Sequence, residues 1–265
     1  MDVQYVSDLH IDHFSDFTHM LEPVAPVLLI AGDICSAWKP MYEDFLGWCS
    51  HRWTQVILIT GNHEYMCPEG EIHTFGETDM HIRHIAGKFP NVVFLQDGES
   101  VRVLNSNVRV VGATLWSSVD PLIHADIQTK KGDYKYTYTE TPVGLRLTTP
   151  MDICALHALQ KVKLANAMAT HTTGKLILMT HHMPSLALLE PEWRHERLHT
   201  CYASADDDLF YYANLEFIVC GHSHRSIKMI LPPGVLALMN ARGYNRPDEL
   251  GRTTDVYSPT AVLRI

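Results

Sequence analysis

Five short apolar runs, each ending abruptly in a cluster of polar residues, constrain the fold of this chain more than any other feature. The runs cover residues 3–6, 27–31, 56–60, 176–179 and 217–220. Uninterrupted apolar runs of this length are typical of strands that are buried on both faces of a sheet. Apolar residues at helical spacing predict helices between some of the runs, over 41–52, 81–89 and 152–170. The alternation of strands and helices predicts an α/β fold.

The middle and the end of the chain have a different pattern. Short β-rich segments, separated by turn signals such as Asp97-Gly98, predict a meander of antiparallel strands over 92–95, 100–104 and 107–115. Further strands are predicted over 235–239 and 260–265. We therefore expect two sheets packed together with helices outside, in a single domain over residues 1–265. Two stretches without a clear pattern are predicted to be inserts that gate a substrate site, at about 119–150 and 183–208.

Composition excludes several classes of protein. The chain has 265 residues, with 21 Lys and Arg against 30 Asp and Glu, so its formal net charge is −9. This balance argues against a broad basic face for duplex nucleic acid. The best apolar run, 24–30, contains Pro26 and is far shorter than the roughly 20 residues that a helix needs to cross a bilayer. Six scattered cysteines without a C-x-x-C pair favour reduced thiols and a cytoplasmic location.

The polar clusters supply the residue types of a metal site. In open α/β sheets ligands bind beyond the carboxyl ends of the strands, so we expect the clusters at one edge. They contain seven candidate ligands, namely Asp8, His10, Asp33, Asn62, His181, His222 and His224. Nitrogen and oxygen ligands suit Mn, Fe or Zn better than copper(I), and seven groups exceed the three or four of a single zinc site. They suffice for two ions that share a carboxylate, for which Asp33 is the candidate.

Each cluster alone has an ordinary structural interpretation, such as a turn, but together they form an ordered series. The series is Asp8-Leu9-His10, Gly32-Asp33, Gly61-Asn62-His63-Glu64, Thr180-His181-His182 and Gly221-His222-Ser223-His224. It resembles the D-x-H, G-D, G-N-H-[DE], H and G-H-x-H motifs of the calcineurin-like metallophosphoesterase superfamily. The resemblance spans residues 8–224 and implies a four-layer αββα sandwich of two mixed sheets flanked by helices.

The resemblance also implies a set of residue roles. Two divalent ions (Mn, Fe, Zn or Ni) are expected as cofactors. One would be bound by Asp8, His10, Asp33 and His224. The other would be bound by Asp33, Asn62, His181 and His222. His63 would face the substrate as a general acid. His182 is either close to the ligands or structural, and Glu64 either orients a neighbouring group or lies in a solvated loop.

A hydrolytic mechanism follows from these roles. A hydroxide that bridges the two ions would attack phosphorus in line, while His63 protonates the leaving oxygen. The expected substrate is a small phosphodiester or phosphomonoester; diesters are favoured, and a nucleotide-derived ester is one candidate. Residues of the two inserts that are candidates for substrate contact are Tyr134, Lys135, Tyr136 and Arg194. An edge strand with alternating exposed side chains is the favoured structural interpretation of 134–138.

Two other functions remain open from the sequence. A metal-dependent nuclease that acts on short single strands would use the same chemistry. A catalytically silent metal-binding module would need the ligands but would have no use for His63. The sequence does not determine the physiological substrate, the metal or the oligomeric state.

Overall fold

The computed structural model describes residues 1–67, 70–244 and 256–265. In chain order, the described elements are β1 (Asp2–Val6), β2 (Val27–Ala31), α1 (Pro40–Ser50), β3 (Gln55–Ile59), α2 (Phe75–Ala86), β4 (Val92–Phe94), β5 (Glu99–Arg102), β6 (Val108–Ala113), α3 (His124–Gln128), α4 (Gly132–Lys135), β7 (Tyr138–Thr141), β8 (Gly144–Leu147), α5 (Pro150–Thr170), β9 (Lys175–Thr180), β10 (Leu215–Cys220), β11 (Ser226–Leu231), β12 (Val235–Asn240) and β13 (Val262–Arg264). Short 3₁₀ turns occupy much of the segment between β9 and β10.

Two mixed sheets lie at the centre of the fold. The first has the order β13-β1-β2-β3-β4, with β1 to β4 parallel and β13 antiparallel to β1. The second has the order β11-β12-β10-β9-β6-β5, in which the four inner strands are parallel and both edge strands are antiparallel. A separate hairpin is formed by β7 and β8. The predicted α/β architecture is therefore confirmed.

Strand β2 illustrates why the apolar runs are uninterrupted. Val27, Leu29 and Ala31 belong to the core between the two sheets, where they meet residues of β9 and β10. Leu28 and Ile30 belong to the core on the other face, which α1 and α2 cover. Both faces of the strand are buried, so no position favours a polar residue. On the outer face of the second sheet, α5 and the segment after β9 play the same part.

Three local expectations were wrong. The predicted antiparallel meander over 92–115 is only partly present. Strand β4 pairs in parallel with β3 in the first sheet, because α2 makes a crossover between them, and of the three predicted strands β5 and β6 alone form an antiparallel pair. Helix α2 begins at Phe75, not at residue 81, because Thr74 and Glu77 form a capping box. Residues 132–135 form a helical turn instead of an edge strand.

Among the described residues, no helix is long and apolar enough to cross a membrane.

Candidate metal centre

The loops that follow neighbouring strands are hydrogen-bonded to one another at a single edge of the two sheets. The backbone amide of Asp8 donates to Gly32 at 3.0 Å, and that of His10 donates to the carbonyl of Asp33 at 3.0 Å. In the second sheet the amide of Gly221 donates to the carbonyl of His181 at 2.9 Å, and across the sheets the amide of His222 donates to Oδ1 of Asp8 at 3.0 Å. The amide of His63 also donates to Oδ1 of Asp33 at 2.8 Å, so the clusters after all five predicted strands meet at one place although they are far apart in the chain.

One group of ligand atoms comes from the first and last clusters. Atoms of Asp8, His10 and His224 lie within 4.8 Å of one another. The Nε2 atoms of His10 and His224 are 3.0 Å apart, and Nε2 of His224 is 3.5 Å from Oδ1 of Asp8. Two imidazole nitrogens that face each other beside a buried carboxylate are a suitable donor set for a divalent cation.

A second group lies beside the first. Atoms of Asp33, His181 and His222 also lie within 4.8 Å of one another. The amide oxygen of Asn62 is 3.2 Å from Nε2 of His181. A single oxygen, Oδ2 of Asp33, lies 3.3 Å from Nε2 of His181 and 3.7 Å from Nε2 of His10. Asp33 therefore lies between the two groups, and the donor atoms fit a pair of cations with Asp33 in the shared position.

Five of the candidate ligands have a left-handed backbone. The φ angles of Asp8, His10, Asp33, His222 and His224 lie between 43° and 71°. Such angles are uncommon for residues with a side chain, and Asp, Asn and His tolerate them best. Each costs about 1–3 kcal/mol and clusters of them are typical of functional sites. The loops therefore turn sharply enough to aim consecutive side chains at the same point.

Two glycines leave room for the ligands. A Cβ atom at Gly61 would lie 2.2 Å from Oδ1 of Asp33 and 2.7 Å from the His181 ring. A Cβ atom at Gly221 would lie 2.5 Å from Oδ2 of Asp8. None of these three distances is compatible with a side chain, so the glycines of both motifs are required by close approach of the ligands.

Glu64 lies beneath the ligands and is fully buried. Its carboxylate accepts hydrogen bonds from the backbone amides of Asp33 at 3.1 Å, Ile34 at 2.8 Å and Gly61 at 2.8 Å. It thus joins the loop after β2 to the loop after β3. The alternative of a solvated loop carboxylate is wrong. Burial, followed by the charge of Asp33, raises the pKa of Glu64 to about 8.

Burial and charge act in opposite directions on the imidazoles. Burial lowers the pKa of His10 and His222 well below the usual range, which favours the neutral form that binds metal. Burial would also lower the pKa of His181, but the charges of Asp33 and Asp8 raise it to about 10. In the absence of a cation, Asp33 and His181 therefore form a buried ion pair.

The two motif histidines that are not expected to bind metal, His63 and His182, have different surroundings. The ring of His63 lies 4.5 Å from that of His10, and its Nε2 atom is 2.8 Å from the hydroxyl of Tyr244. His182 is buried, with its ring 4.0 Å from that of His222 and 5.3 Å from that of Trp116. His182 thus packs behind a ligand, whereas His63 lines the cavity described next.

A cavity of about 420 Å³ opens onto the metal centre. Its wall includes the apolar and aromatic side chains of Met66, Tyr136, Leu189, Trp193, Tyr202 and Tyr244. Two cations also line it. Arg225 faces Glu190 at 3.5 Å, whereas Lys131 forms no ion pair with a carboxylate anywhere in the described ranges. The Lys131 ammonium lies 4.3 Å from the centre of the Tyr202 ring and donates to its hydroxyl at 2.5 Å.

The predicted substrate contacts are placed unevenly. Tyr136 lines the cavity. Tyr134 is 3% exposed and packs in an apolar cluster with Trp116. The guanidinium of Arg194 donates to backbone carbonyls of its own loop, at 2.6 and 3.1 Å. Within the described part of the chain, the cavity wall does not include Tyr134, Lys135 or Arg194.

Among the residues of this site that sequence reasoning missed are Lys131, Asp133 and Tyr244. Asp133 accepts a hydrogen bond from the side-chain amide of Asn62 at 2.7 Å. These residues belong to none of the motifs, and no local pattern distinguishes them from solvated side chains. The only signal was that Lys131 and Asp133 lie inside the stretch at 119–150 that resisted assignment.

The fold and the order of its ligands define a class of protein. The chain belongs to the calcineurin-like phosphoesterase family, whose model matches residues 1–226 and so includes all seven candidate ligands. It is a metal-binding phosphoester hydrolase by this membership, and the predicted family is confirmed. No curated protein sequence matches the chain.

Solved structures with a similar fold include a hydrolase and a phosphatase. A phosphopantetheinyl hydrolase from Mycobacterium tuberculosis is 18% identical, with a TM-score of 0.74, and the match covers 98% of this chain and 95% of that one. A dimetal phosphatase from Danio rerio is 12% identical, with a TM-score of 0.51, and the match covers 92% and 88%. At these identities the likeness establishes the fold alone.

Proposed function

We propose that this protein hydrolyses a small phosphodiester with the help of two divalent metal ions. The observation that carries the proposal is the pair of neighbouring ligand groups, with Oδ2 of Asp33 between His10 and His181, beside one cavity. Asp8, His10, Asp33 and His224 would hold one ion. Asp33, Asn62, His181 and His222 would hold the other. The ions would activate water at neutral pH and offset charge on the phosphoryl oxygens.

The chain's own residues supply the remaining functions. His63 faces the cavity and would hold a proton for the leaving oxygen, with its ring position fixed by Tyr244. Lys131 would donate to a phosphoryl oxygen, because no carboxylate in the described ranges neutralises its charge. The aromatic and apolar wall would bind an organic group attached to the phosphate. Both kinds of ester carry such a group, and the ratio of diester to monoester turnover distinguishes them.

The two inserts would gate the substrate in a single-domain protein. Lys131 and Tyr136 come from the stretch at 119–150, and Leu189 and Tyr202 come from the stretch at 183–208. A phosphopantetheinyl ester is one diester with a flexible organic arm, and it belongs among the substrates to be tested. Short oligonucleotides test the alternative of a single-strand nuclease.

Hydrolysis assays on metal-stripped protein test this proposal. p-Nitrophenyl phosphate and bis-p-nitrophenyl phosphate are offered with Mn²⁺, Zn²⁺, Ni²⁺, Mg²⁺ or no metal. Asp33→Asn removes a negative charge from the shared position, and the exposed Asp44→Asn on α1 is its matched control. Metal-dependent turnover of the diester that only Asp33→Asn abolishes supports the proposal. Folded protein that binds two ions and hydrolyses nothing contradicts it and favours a silent metal-binding module.

A further inference from the structure

Asn62 has an orientation problem that the carboxylate ligands do not have. Its side chain ends in a carbonyl oxygen and an NH₂ group of nearly the same shape, and only the oxygen binds a metal ion. In the structure Oδ1 lies 3.2 Å from Nε2 of His181, on the side of the other donor atoms. The NH₂ group points the opposite way and donates to Oδ1 of Asp133 at 2.7 Å.

A carboxylate can hold the amide in one orientation only. Oδ1 of Asp133 is the acceptor in this hydrogen bond, and the carbonyl oxygen of a rotated Asn62 would bring a second acceptor face to face with it. Oxygen and nitrogen of an amide are assigned from such networks, and here both ends of Asn62 agree. The bond is 2.7 Å long, at the short end of the range for a donor nitrogen and an acceptor oxygen.

Asp133 belongs to the helical turn α4, which is anchored on both sides. The next residue, Tyr134, is buried in an apolar cluster. The carbonyl of Tyr136 accepts from the amide of Cys67 at 2.7 Å, which ties the turn to the segment just after the Asn62 motif. The hydroxyl of Thr137 also donates to the carbonyl of Asp133. The carboxylate is thus held by its own backbone and does not depend on Asn62 for its place.

We propose that Asp133 is a positioning residue of the metal centre, which fixes the amide of Asn62 with its oxygen toward the cation. The inference rests on the proposed function. It makes the insert a part of the metal site itself, because the insert supplies the group that orients a ligand of the core motif. Partners of this kind, hydrogen-bonded to a ligand, commonly affect metal affinity by about 10- to 100-fold.

Binding of Mn²⁺ to metal-free protein, measured by equilibrium dialysis, tests the proposal without any substrate. Asp133→Asn keeps the shape but presents either an acceptor or a donor, so it permits both orientations of Asn62. We expect about a 10-fold weaker affinity for one of the two ions, and at least as large a loss for Asp133→Ala. The exposed Asp126→Asn, from the same insert, is the matched control and is expected to bind as the wild type does.

A double-mutant cycle separates orientation from a structural effect. In the Asn62→Ala background there is no amide to orient, so Asp133→Asn is expected to cause no further loss of affinity. An equal loss in both backgrounds would overturn the proposal, as would wild-type affinity in the single variant. Wild-type protein that binds no pair of ions would instead contradict the proposed function.

Discussion

The buried carboxylate of Glu64 accepts a hydrogen bond from the backbone amide of Asp33 at 3.1 Å. Glu64, which follows His63 in the chain, therefore holds the backbone of Asp33, which lies between the two ligand groups. Because Glu64 also accepts from Gly61 at 2.8 Å, one side chain sets the separation of two loops.

Replacement of Glu64 by Gln tests this relationship. The NH₂ group of Gln would face at least one of the backbone amides that Glu64 now accepts from, and a buried donor without a partner costs about 1–3 kcal/mol. We expect Glu64→Gln to lower the free energy of unfolding by that amount and to weaken metal binding. Urea unfolding and metal titration measure the two effects. The exposed Glu140→Gln is the control, and equal behaviour of both variants would contradict the role.

Substitution of His63 is expected to separate proton transfer from metal binding. His63→Ala should keep both ions and lower turnover by about 10²- to 10⁴-fold for esters with poor leaving groups. Nitrophenolate needs little help from an acid, so the loss should be much smaller for nitrophenyl esters. A series of aryl phosphodiesters of graded leaving-group pKa measures this dependence. A loss that is the same across the series would argue against a general acid.

Removal of the charge of Lys131 is expected to weaken substrate binding alone. Lys131→Met deletes a hydrogen bond from a charged donor, which is worth about 1.5–3 kcal/mol. We expect kcat/KM for the diester to fall by roughly 10- to 100-fold while Mn²⁺ affinity stays the same. Lys135→Met is the matched control, because Lys135 lies one helical turn away and does not line the described cavity. Equal losses of kcat/KM in the two variants would show that Lys131 does not contact the substrate.

A methyl group at Gly221 should damage the metal centre. Its carbon would lie 2.5 Å from Oδ2 of Asp8 and 2.7 Å from Oγ of Ser7, so the loop or the ligand has to move. We expect Gly221→Ala to bind Mn²⁺ at least about 10-fold more weakly. At Gly76 in α2 the same methyl group meets nothing within 4 Å, and Gly76→Ala should bind normally. Normal Mn²⁺ binding by Gly221→Ala would show that the loop can shift without disturbing the ligands.

The stability of the fold should depend on pH through His157. Burial would lower the pKa of this imidazole, but Asp206, 3.6 Å from its Nε2, raises it above the usual value, and Lys161 opposes this only in part. Protonated His157 therefore stabilises the fold fully below the unfolded-state pKa of about 6.5. The contribution is lost as pH rises through the folded-state pKa.

Urea unfolding of His157→Gln at two pH values measures this contribution. We expect the variant to lose more free energy of unfolding, relative to wild type, at about pH 5.5 than at about pH 8.5. His19→Gln is the control, since the His19 side chain is 90% exposed. A difference from wild type that does not change with pH would show that His157 contributes packing alone.

The sequence predicted what depends on short patterns. Strand β2 is apolar at every position because both of its faces are buried, so its run was visible without the structure. The motif residues were visible for a related reason, since each follows such a strand directly. Thr74 and Glu77 carry the signal for the start of α2, but the prediction rested on apolar spacing alone.

What the sequence concealed depends on contacts between distant residues. Asp133 is 71 residues from Asn62, and Tyr244 is 181 residues from His63. Neither lies in a repeated or periodic pattern, and each acquires a role only when a loop returns to the strand ends. Tyr134 was wrongly expected to contact the substrate. The alternation of Tyr and Lys around it is typical of an exposed edge strand, but its ring is buried and residues 132–135 form a helical turn.

The left-handed backbone at five candidate ligands restricts how this centre can change over evolutionary time. A β-branched residue or a bulky one would be strained at Asp8 or His222, whatever its affinity for a cation. The residues that tolerate such angles best are Gly, Asn, Asp and His, and only the last three offer a ligand atom. Drift toward another metal preference can therefore exchange imidazole, carboxylate and amide at these positions, while thiol or thioether ligands would have to arise elsewhere in the cavity.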